Sequence, residues 1–224
     1  MGQIEIFRVG RIPVRMDFFF VVIALIWSWP YWRSGDMHMM SAGFVLVVGI
    51  FLSILLHELG HAWAGRWFGV GTTAIELNGL GGLCYFDRSL PNSVFARSVI
   101  SLAGPFANLV LWQLFGFAAA ASGSAGGGLP YHVMSTLAFA NLLLLIFNLL
   151  PAFPLDGGRV LEAWLSPFLG GIWSSRVVAT LGLIVTAGIA YLAIPNQIFM
   201  MMMALLLAIH NWQVLQSTGG FGRK

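Results

Sequence analysis

Charge is what this chain has least of. Of its 224 residues only 8% are Asp, Glu, Lys or Arg, where a soluble domain carries about 25%. So few charges cannot cover a water-soluble fold of this size. With hydrophobic residues at 58%, the solvent must be largely lipid. Cysteine is nearly missing too. A lone Cys84 excludes an intrachain disulfide and a thiolate metal cluster, and says little about redox compartment. The net charge of +3 is small and reads as a topological signal. A nucleic-acid binder would cluster its basic residues on a soluble face, so nucleic acid is excluded as a partner. No internal repeat is present.

What is there is a set of long apolar runs. A spanning helix needs about 20 mostly apolar residues, within about 17–25. Six runs meet this, at roughly 17–32, 41–67, 95–121, 132–151, 176–194 and 198–215. The first is no cleaved signal peptide, because "WSWPYWRSGDMH" follows it instead of a small-residue cleavage site. The cations support the same map. Arg8, Arg11, Arg15, Arg66, Arg88, Arg97, Arg159, Arg176, Arg223 and Lys224 share one side, and Arg33 is alone on the other. The positive-inside rule then puts both termini in the cytoplasm.

Between the runs, residues 4–16 alternate with β-branched side chains and read as a short strand. Residues 71–87, "GTTAIELNGLGGLCYFD", carry turn signals between short apolar stretches and read as a hairpin on the cytoplasmic side. "SGSAGGGLP", 122–130, is a flexible outer loop, and the closing "QSTGGFGRK" is a linker or the boundary before a further domain. The expected fold is an all-α polytopic membrane protein of six transmembrane helices, with a small membrane-associated β element near its active site. Residues 1–215 form one transmembrane domain and 216–224 the C-terminal linker.

The second run contains an anomaly. Its "HELGH" places His57, Glu58 and His61 in lipid, where an ionisable group costs roughly 2.5–3.5 kcal/mol on insertion scales. On a helix the two histidines stand at i and i+4, about 5–6 Å apart at Cβ, a spacing that suits one Zn²⁺. Glu58, between them, is placed to act as general base on a metal-bound water. A divalent cation also relieves the burial cost, since the imidazoles become ligands and the carboxylate gains a partner. A chance match to this pattern in a soluble chain is usually an exposed helix. Inside a lipid-embedded run it is selected against by energy, so the metal site is the reading taken.

A catalytic zinc takes three protein ligands and a water. Glu5, Asp17, Asp36, Glu76, Asp87 and Glu162 lie in loops or at helix ends. Asp156 differs, because "FNLLPAFPLDGGR", 147–159, breaks the fourth run with Pro151 and Pro154 and lets the backbone turn at Gly157 and Gly158. Irregular backbone at membrane depth survives only where it is buried in protein or lines a wet cavity. Asp156 could simply cap a helix, but a site short of one ligand favours it as the third. Asn148, eight residues earlier, either stabilises the oxyanion or holds substrate backbone, or else makes an interhelical hydrogen bond. Asn141 is read as structural, and Gly104 and Asn108 in "LAGPFANL" as close packing of the third run on the second. His38 and His132 fall on the outer side, and His210 is a packing or interfacial residue.

Taken together, HELGH within a spanning run, "AGPFAN" in the next and "NLLPAFPLDGGR" closing the one after resemble the site-2 protease family of intramembrane zinc metalloproteases. Order, spacing and membrane placement all match over nearly the whole chain. The resemblance implies a three-helix core made of the second to fourth runs. It implies Zn²⁺ on the positions of His57, His61 and Asp156, with Glu58 activating water. It implies cleavage of peptide bonds within or near membrane-spanning segments of a transmembrane protein substrate, such as a membrane-tethered transcription factor, an anti-sigma factor or a remnant signal peptide. It points to a prokaryotic cell membrane, where members with cytoplasmic termini often carry regulatory CBS domains after the last helix; none is present in this chain. A transporter would need ionisable residues distributed along a path across the bilayer, whereas here they collect at one depth. A non-proteolytic homologue is disfavoured by the intact Glu58.

Overall fold

The computed structural model describes residues 3–79, 81–123, 128–193 and 198–219. Parts of the outer loop at 122–130 and of the linker at 216–224 therefore lie outside the described residues. In chain order the elements are β1 (Ile4–Val9), β2 (Ile12–Met16), α1 (Phe18–Trp32), α2 (Met37–Trp67), β3 (Thr72–Asn78), β4 (Gly81–Phe86), α3 (Val94–Ala121), α4 (Leu129–Asn148), α5 (Asp156–Ala193) and α6 (Ile198–Gly219). They group into two compact units. One is Met1–Leu90 with Ala103–Leu145, and the other is Pro91–Leu102 with Ile146–Lys224.

In the first unit the strands form one sheet in the order β1-β2-β3-β4. The expected single strand at 4–16 is in fact a hairpin, turning at Gly10 with φ 61°. The expected hairpin at 71–87 is present as β3 and β4, paired antiparallel with Ile75 opposite Cys84. The two hairpins are joined by a parallel pairing of β2 and β3, Val14 opposite Ile75 and Met16 opposite Leu77. A parallel pair needs a long crossover, and α1 and α2 provide it. The seam is apolar: Val14, Phe20, Leu55, Leu59, Ile75 and Leu77 form one buried cluster. Asp17 starts α1 by accepting from the Phe20 N–H at 2.9 Å, and Asp36 starts α2 by accepting from the His38 N–H at 2.9 Å.

The faces of α2 are inverted relative to a soluble helix. Phe44, Val48, Leu52 and Leu56, every fourth residue, are exposed, while Ser53, His57, Glu58 and His61 are buried. Lipid is the solvent in which that arrangement is favourable. Among the described residues four helices, α2, α3, α4 and α5, are long and apolar enough to cross a membrane. The first run forms a helix of only 15 residues with Pro30 inside it, shorter than the bilayer requires. The fourth helix stops at Asn148 instead of 151, because a residue preceding proline is disfavoured in α geometry and Pro151 follows closely. The fifth run is the distal part of a longer helix. α5 starts at Asp156 and is interrupted at Gly170, whose φ of 74° and ψ of 162° are not helical.

In the second unit α5 and α6 pack as a pair. Arg97 bonds Glu162 at 2.9 Å, and the Trp164 indole donates to Ser98 Oγ at 2.9 Å, tying the start of α3 to the first part of α5.

Of the glycines that bring α2 against its neighbours in the first unit, Gly49 and Gly60 differ in what they face. A Cβ on Gly60 would meet the Ala103 carbonyl oxygen at 2.6 Å, whereas on Gly49 it would meet the Leu137 Cδ2 at 2.6 Å. A backbone carbonyl cannot step aside, but a leucine can change rotamer. Gly60→Ala is therefore expected to cost about 1–3 kcal/mol, the usual overpacking range, and Gly49→Ala clearly less. Thermal unfolding of the two variants in detergent checks the order.

Candidate functional site

The site is built on the last third of α2. His57, Glu58 and His61 are 6%, 4% and 5% exposed. The helical spacing stacks the two imidazoles with ring centroids 4.8 Å apart and planes at 81°. Their Nε2 atoms approach to 3.1 Å. Two imidazole nitrogens on one tetrahedral zinc, each at about 2.0–2.1 Å, would be about 3.3 Å apart. The pair is thus already spaced for a shared metal.

What aims His57 is a relay of amides. His57 Nδ1 lies 2.5 Å from Asn108 Oδ1 on α3. Asn108 Nδ2 donates to Asn141 Oδ1 on α4 at 2.9 Å. Asn141 Nδ2 donates to Ser53 Oγ at 2.9 Å and to the Leu137 carbonyl at 2.9 Å. Ser53 Oγ donates to the Gly49 carbonyl at 2.8 Å, returning the chain to α2. Both ends of the relay on α2 and α4 are carbonyls, which only accept. That fixes the direction of every bond back to the imidazole: Nδ1 carries a proton, which leaves Nε2, facing His61, as the atom available to a metal. Bonds polarised in one direction also reinforce one another. From sequence alone Asn108 and Asn141 read as packing and structural residues. The structure gives them the further task of setting the His57 tautomer. The available signal was Ser53 standing one turn before His57 with two amides on the adjacent runs.

Two glycines leave the centre open. A Cβ on Gly104 of α3 would lie 2.6 Å from His57 Nε2 and closer still to His61 Nε2, so the space beside both donor atoms exists only because residue 104 has no side chain. A Cβ on Gly82 of β4 would lie 2.5 Å from Glu58 Oε1, so the β4 backbone passes directly against the carboxylate. Gly104 thus leaves room for an ion beside the imidazoles, and Gly82 lets the β4 backbone approach the carboxylate.

The other acids have structural work. Asp17 and Asp36 cap helices. Glu5 pairs with Arg8 at 2.7 Å. Glu76 accepts from Gln3 at 2.7 Å, Asp87 accepts from the Gly71 N–H at 3.1 Å, and Glu162 holds Arg97. The Arg8 hydrogen bond lowers the Glu5 carboxyl below its usual range. On β4, burial first and then Glu76 push the Tyr85 phenol up, so it stays neutral at physiological pH. Asp156 is in the second unit, at the first turn of α5, and is 4% exposed. Gly157 and Gly158 set it there: a Cβ on Gly158 would meet the Ala152 carbonyl oxygen at 2.6 Å, so the helix start folds tightly on the preceding loop. The donor set available to a metal among the described residues is two imidazoles and a carboxylate, those of His57, His61 and Asp156. Asn148 closes α4 and is half-buried. His38 and His132 are exposed, and His210 is half-buried on α6.

A helix-borne His pair with a glutamate between, relay-oriented and buried on an apolar span, defines a zinc metallopeptidase centre within a membrane protein. Comparison with known proteins agrees. The model of Peptidase family M50 matches residues 45–126 and 116–194, and the chain belongs to that family, the zinc metallopeptidases of site-2 protease type. It is 32% identical over 182 residues to Zinc metalloprotease MJ0392 of Methanocaldococcus jannaschii, covering 80% of this chain and 50% of that protein. It is 27% identical over 130 residues to Stage IV sporulation protein FB of Bacillus subtilis, covering 58% of this chain and 43% of that protein. The chain thus spans about half the length of these curated relatives or less. Among solved structures it is similar to the Site-2 Protease from Methanocaldococcus jannaschii, with a TM-score of 0.66, 26% identity, and coverage of 100% of this chain and 96% of that one.

The relay has a measurable consequence. Asn108→Leu keeps the volume of the side chain but removes the acceptor of the His57 Nδ1–H. Zinc affinity is expected to fall about 10–100-fold, the usual effect of losing a partner behind a metal-binding histidine. Asn141→Leu, one bond further out, should have a smaller effect. Chelator competition on the purified variants measures both.

Proposed function

We propose that this chain is an intramembrane protease. It hydrolyses peptide bonds within or near membrane-spanning segments of membrane-tethered proteins, with His57, His61 and Asp156 as zinc ligands and Glu58 as general base. One observation carries the reading. Among the described residues four ionisable side chains are buried, and they are His57, Glu58, His61 and Asp156. Burying that set without a shared cation would be expensive. Two imidazoles, a carboxylate and a base are also what catalytic zinc of this type requires. The partners are then a bilayer and a transmembrane substrate. The arginine distribution supports both termini in the cytoplasm, and the relatives in Methanocaldococcus jannaschii and Bacillus subtilis support a prokaryotic membrane.

Bound zinc supplies Lewis acidity and lowers the pKa of a coordinated water to about 7. The chain's own groups do the rest. Glu58 accepts the proton from the attacking water at a carboxylate oxygen and returns it to the leaving amine. The relay through Asn108 keeps the His57 lone pair aimed. Asn148 is assigned to the developing oxyanion or to the substrate backbone. A helical substrate must unwind before its carbonyl can be reached, and the unwound segment is held by strand addition. The β4 strand suits that role, being the sheet's last strand, with Gly82 against Glu58.

Glu58→Gln is nearly isosteric. It is expected to keep about one zinc per chain and lose at least about 10²-fold in cleavage rate, the usual scale of general-base catalysis. The His57→Ala, His61→Ala double variant should lose the zinc. Metal analysis and cleavage of a single-pass substrate in detergent read both. Unchanged zinc in the double variant, or near-parent cleavage by Glu58→Gln, would overturn the assignment.

Strand addition is tested separately. Proline removes a backbone N–H and cannot continue a ladder. β3 already pairs on both sides, so within this hairpin the open edge is that of β4. A proline scan over Leu83–Phe86 should find at least one position that abolishes cleavage with zinc content and thermal stability near the parent, while alanine there is tolerated. If each proline variant either cleaves normally or unfolds, the substrate is held elsewhere.

A further inference from the structure

We propose that Asn211 of α6 is a positioning residue for the metal ligand Asp156, acting through the backbone of Phe153. The inference rests on Asp156 being the third zinc ligand. The loop between α4 and α5 contains Pro151 and Pro154 and so cannot satisfy its own polar backbone as a helix does. At membrane depth an unsatisfied N–H or C=O is costly. Asn211 supplies both partners at one residue. The Phe153 N–H donates to Asn211 Oδ1 at 3.1 Å, and Asn211 Nδ2 donates back to the Phe153 carbonyl at 2.7 Å. The second Nδ2 proton goes to the Leu207 carbonyl on α6 at 2.7 Å, which fixes the orientation of the amide. The side chain is fully buried. Room for it is made by Gly182 on α5, where a Cβ would stand 2.9 Å from Nδ2 and closer to the rest of the amide.

From Phe153 the constraint passes to Asp156 over three residues with little slack. The Leu155 N–H donates to the Ala152 carbonyl at 2.9 Å, and the Ala152 N–H to the Leu150 carbonyl at 2.8 Å. Gly158 packs on the Ala152 carbonyl, and Gly157 on the carbonyls of Leu149 and Leu150. The segment is a closed knot of backbone whose side-chain anchor from α6 is one amide. A carboxylate ligand must be held to within a fraction of an ångström to bind zinc well. Release of Phe153 therefore acts on metal binding, although Asn211 touches neither the metal nor substrate.

The test uses the purified full chain, with zinc affinity from chelator competition and the visible spectrum of the Co²⁺-substituted protein as readouts. Asn211→Leu removes all three hydrogen bonds at similar volume. It is expected to lower zinc affinity about 10–100-fold and to change the Co²⁺ spectrum. Thr186→Val is the control. Thr186 is buried on α5 and, among the described residues, bonds the Gly182 carbonyl of its own helix. It should leave both readouts near the parent even where it lowers thermal stability. If the Asn211→Leu chain does not fold, Asn211→Ser, too short to reach Phe153, carries the same comparison. Parent-like affinity and spectrum in the Asn211 variant overturn the proposal. So does a zinc loss that merely tracks lost thermal stability in both variants. Asp156→Ala separates the two levels: zinc binding unchanged there removes the ligand assignment itself, whereas zinc lost there but unchanged in Asn211→Leu removes only the role of Asn211.

Discussion

Three ionisable groups on one turn of a lipid-embedded helix set the terms for everything around them. In water His57, Glu58 and His61 would be solvated individually. On α2 they must be satisfied by protein and by a cation. The response is a set of polar residues that would be unremarkable on a soluble surface and are buried here: Ser53, Asn108 and Asn141 in a single relay. The relay ends on backbone carbonyls, and this gives it direction. A hydroxyl at either end could have reversed, and the His57 tautomer would then be a mixture. A carbonyl terminus leaves one arrangement, and a metal-binding imidazole requires just one.

The same economy governs the irregular backbone. Lipid tolerates a broken helix only when the freed N–H and C=O groups find partners. Around Pro151–Asp156 those partners are neighbouring carbonyls and amides of the loop itself, with Asn211 from α6. The glycines have a complementary task. At Gly104 the missing side chain keeps space open beside the imidazoles, and at Gly82 it lets the β4 backbone reach the carboxylate. At Gly157, Gly158 and Gly182 it lets backbone or an amide approach closely. Polar residues specify geometry in this protein, and glycines decide where something else can enter.

Much of this was legible in the sequence, for physical reasons. Lipid as solvent makes any buried charge conspicuous, so His57, Glu58, His61 and Asp156 stood out against an 8% charged background. Turn residues at Asn78–Gly79 marked the β3–β4 hairpin. Less legible were features that depend on neighbours distant in the chain. The parallel pairing of β2 with β3 joins residues about sixty apart, and nothing in either strand's alternation announces its partner. The apolar run continues to Pro151, three residues past the end of α4, because hydropathy does not mark where the backbone leaves helical geometry. The first part of α5 does not read as a helix, since "DGGRVLEAWLSPF" mixes glycine, proline and charge. The structure shows that its glycines serve close packing instead of ending the helix.

Asn108, Asn141 and Asn211 show where sequence reading reaches its limit. An amide on a membrane helix makes an interhelical hydrogen bond almost regardless of what the protein does. Residue type alone therefore cannot separate glue from aim. The distinction lies in what the bonded partner goes on to hold. Asn141 bonds an amide that bonds an imidazole, and Asn211 bonds the backbone of a loop that leads to a carboxylate. In both cases one amide satisfies two or more groups at once, which leaves it no alternative geometry. A residue with no alternative geometry can transmit position to its neighbour, and a ligand of a small divalent cation is the neighbour most sensitive to position.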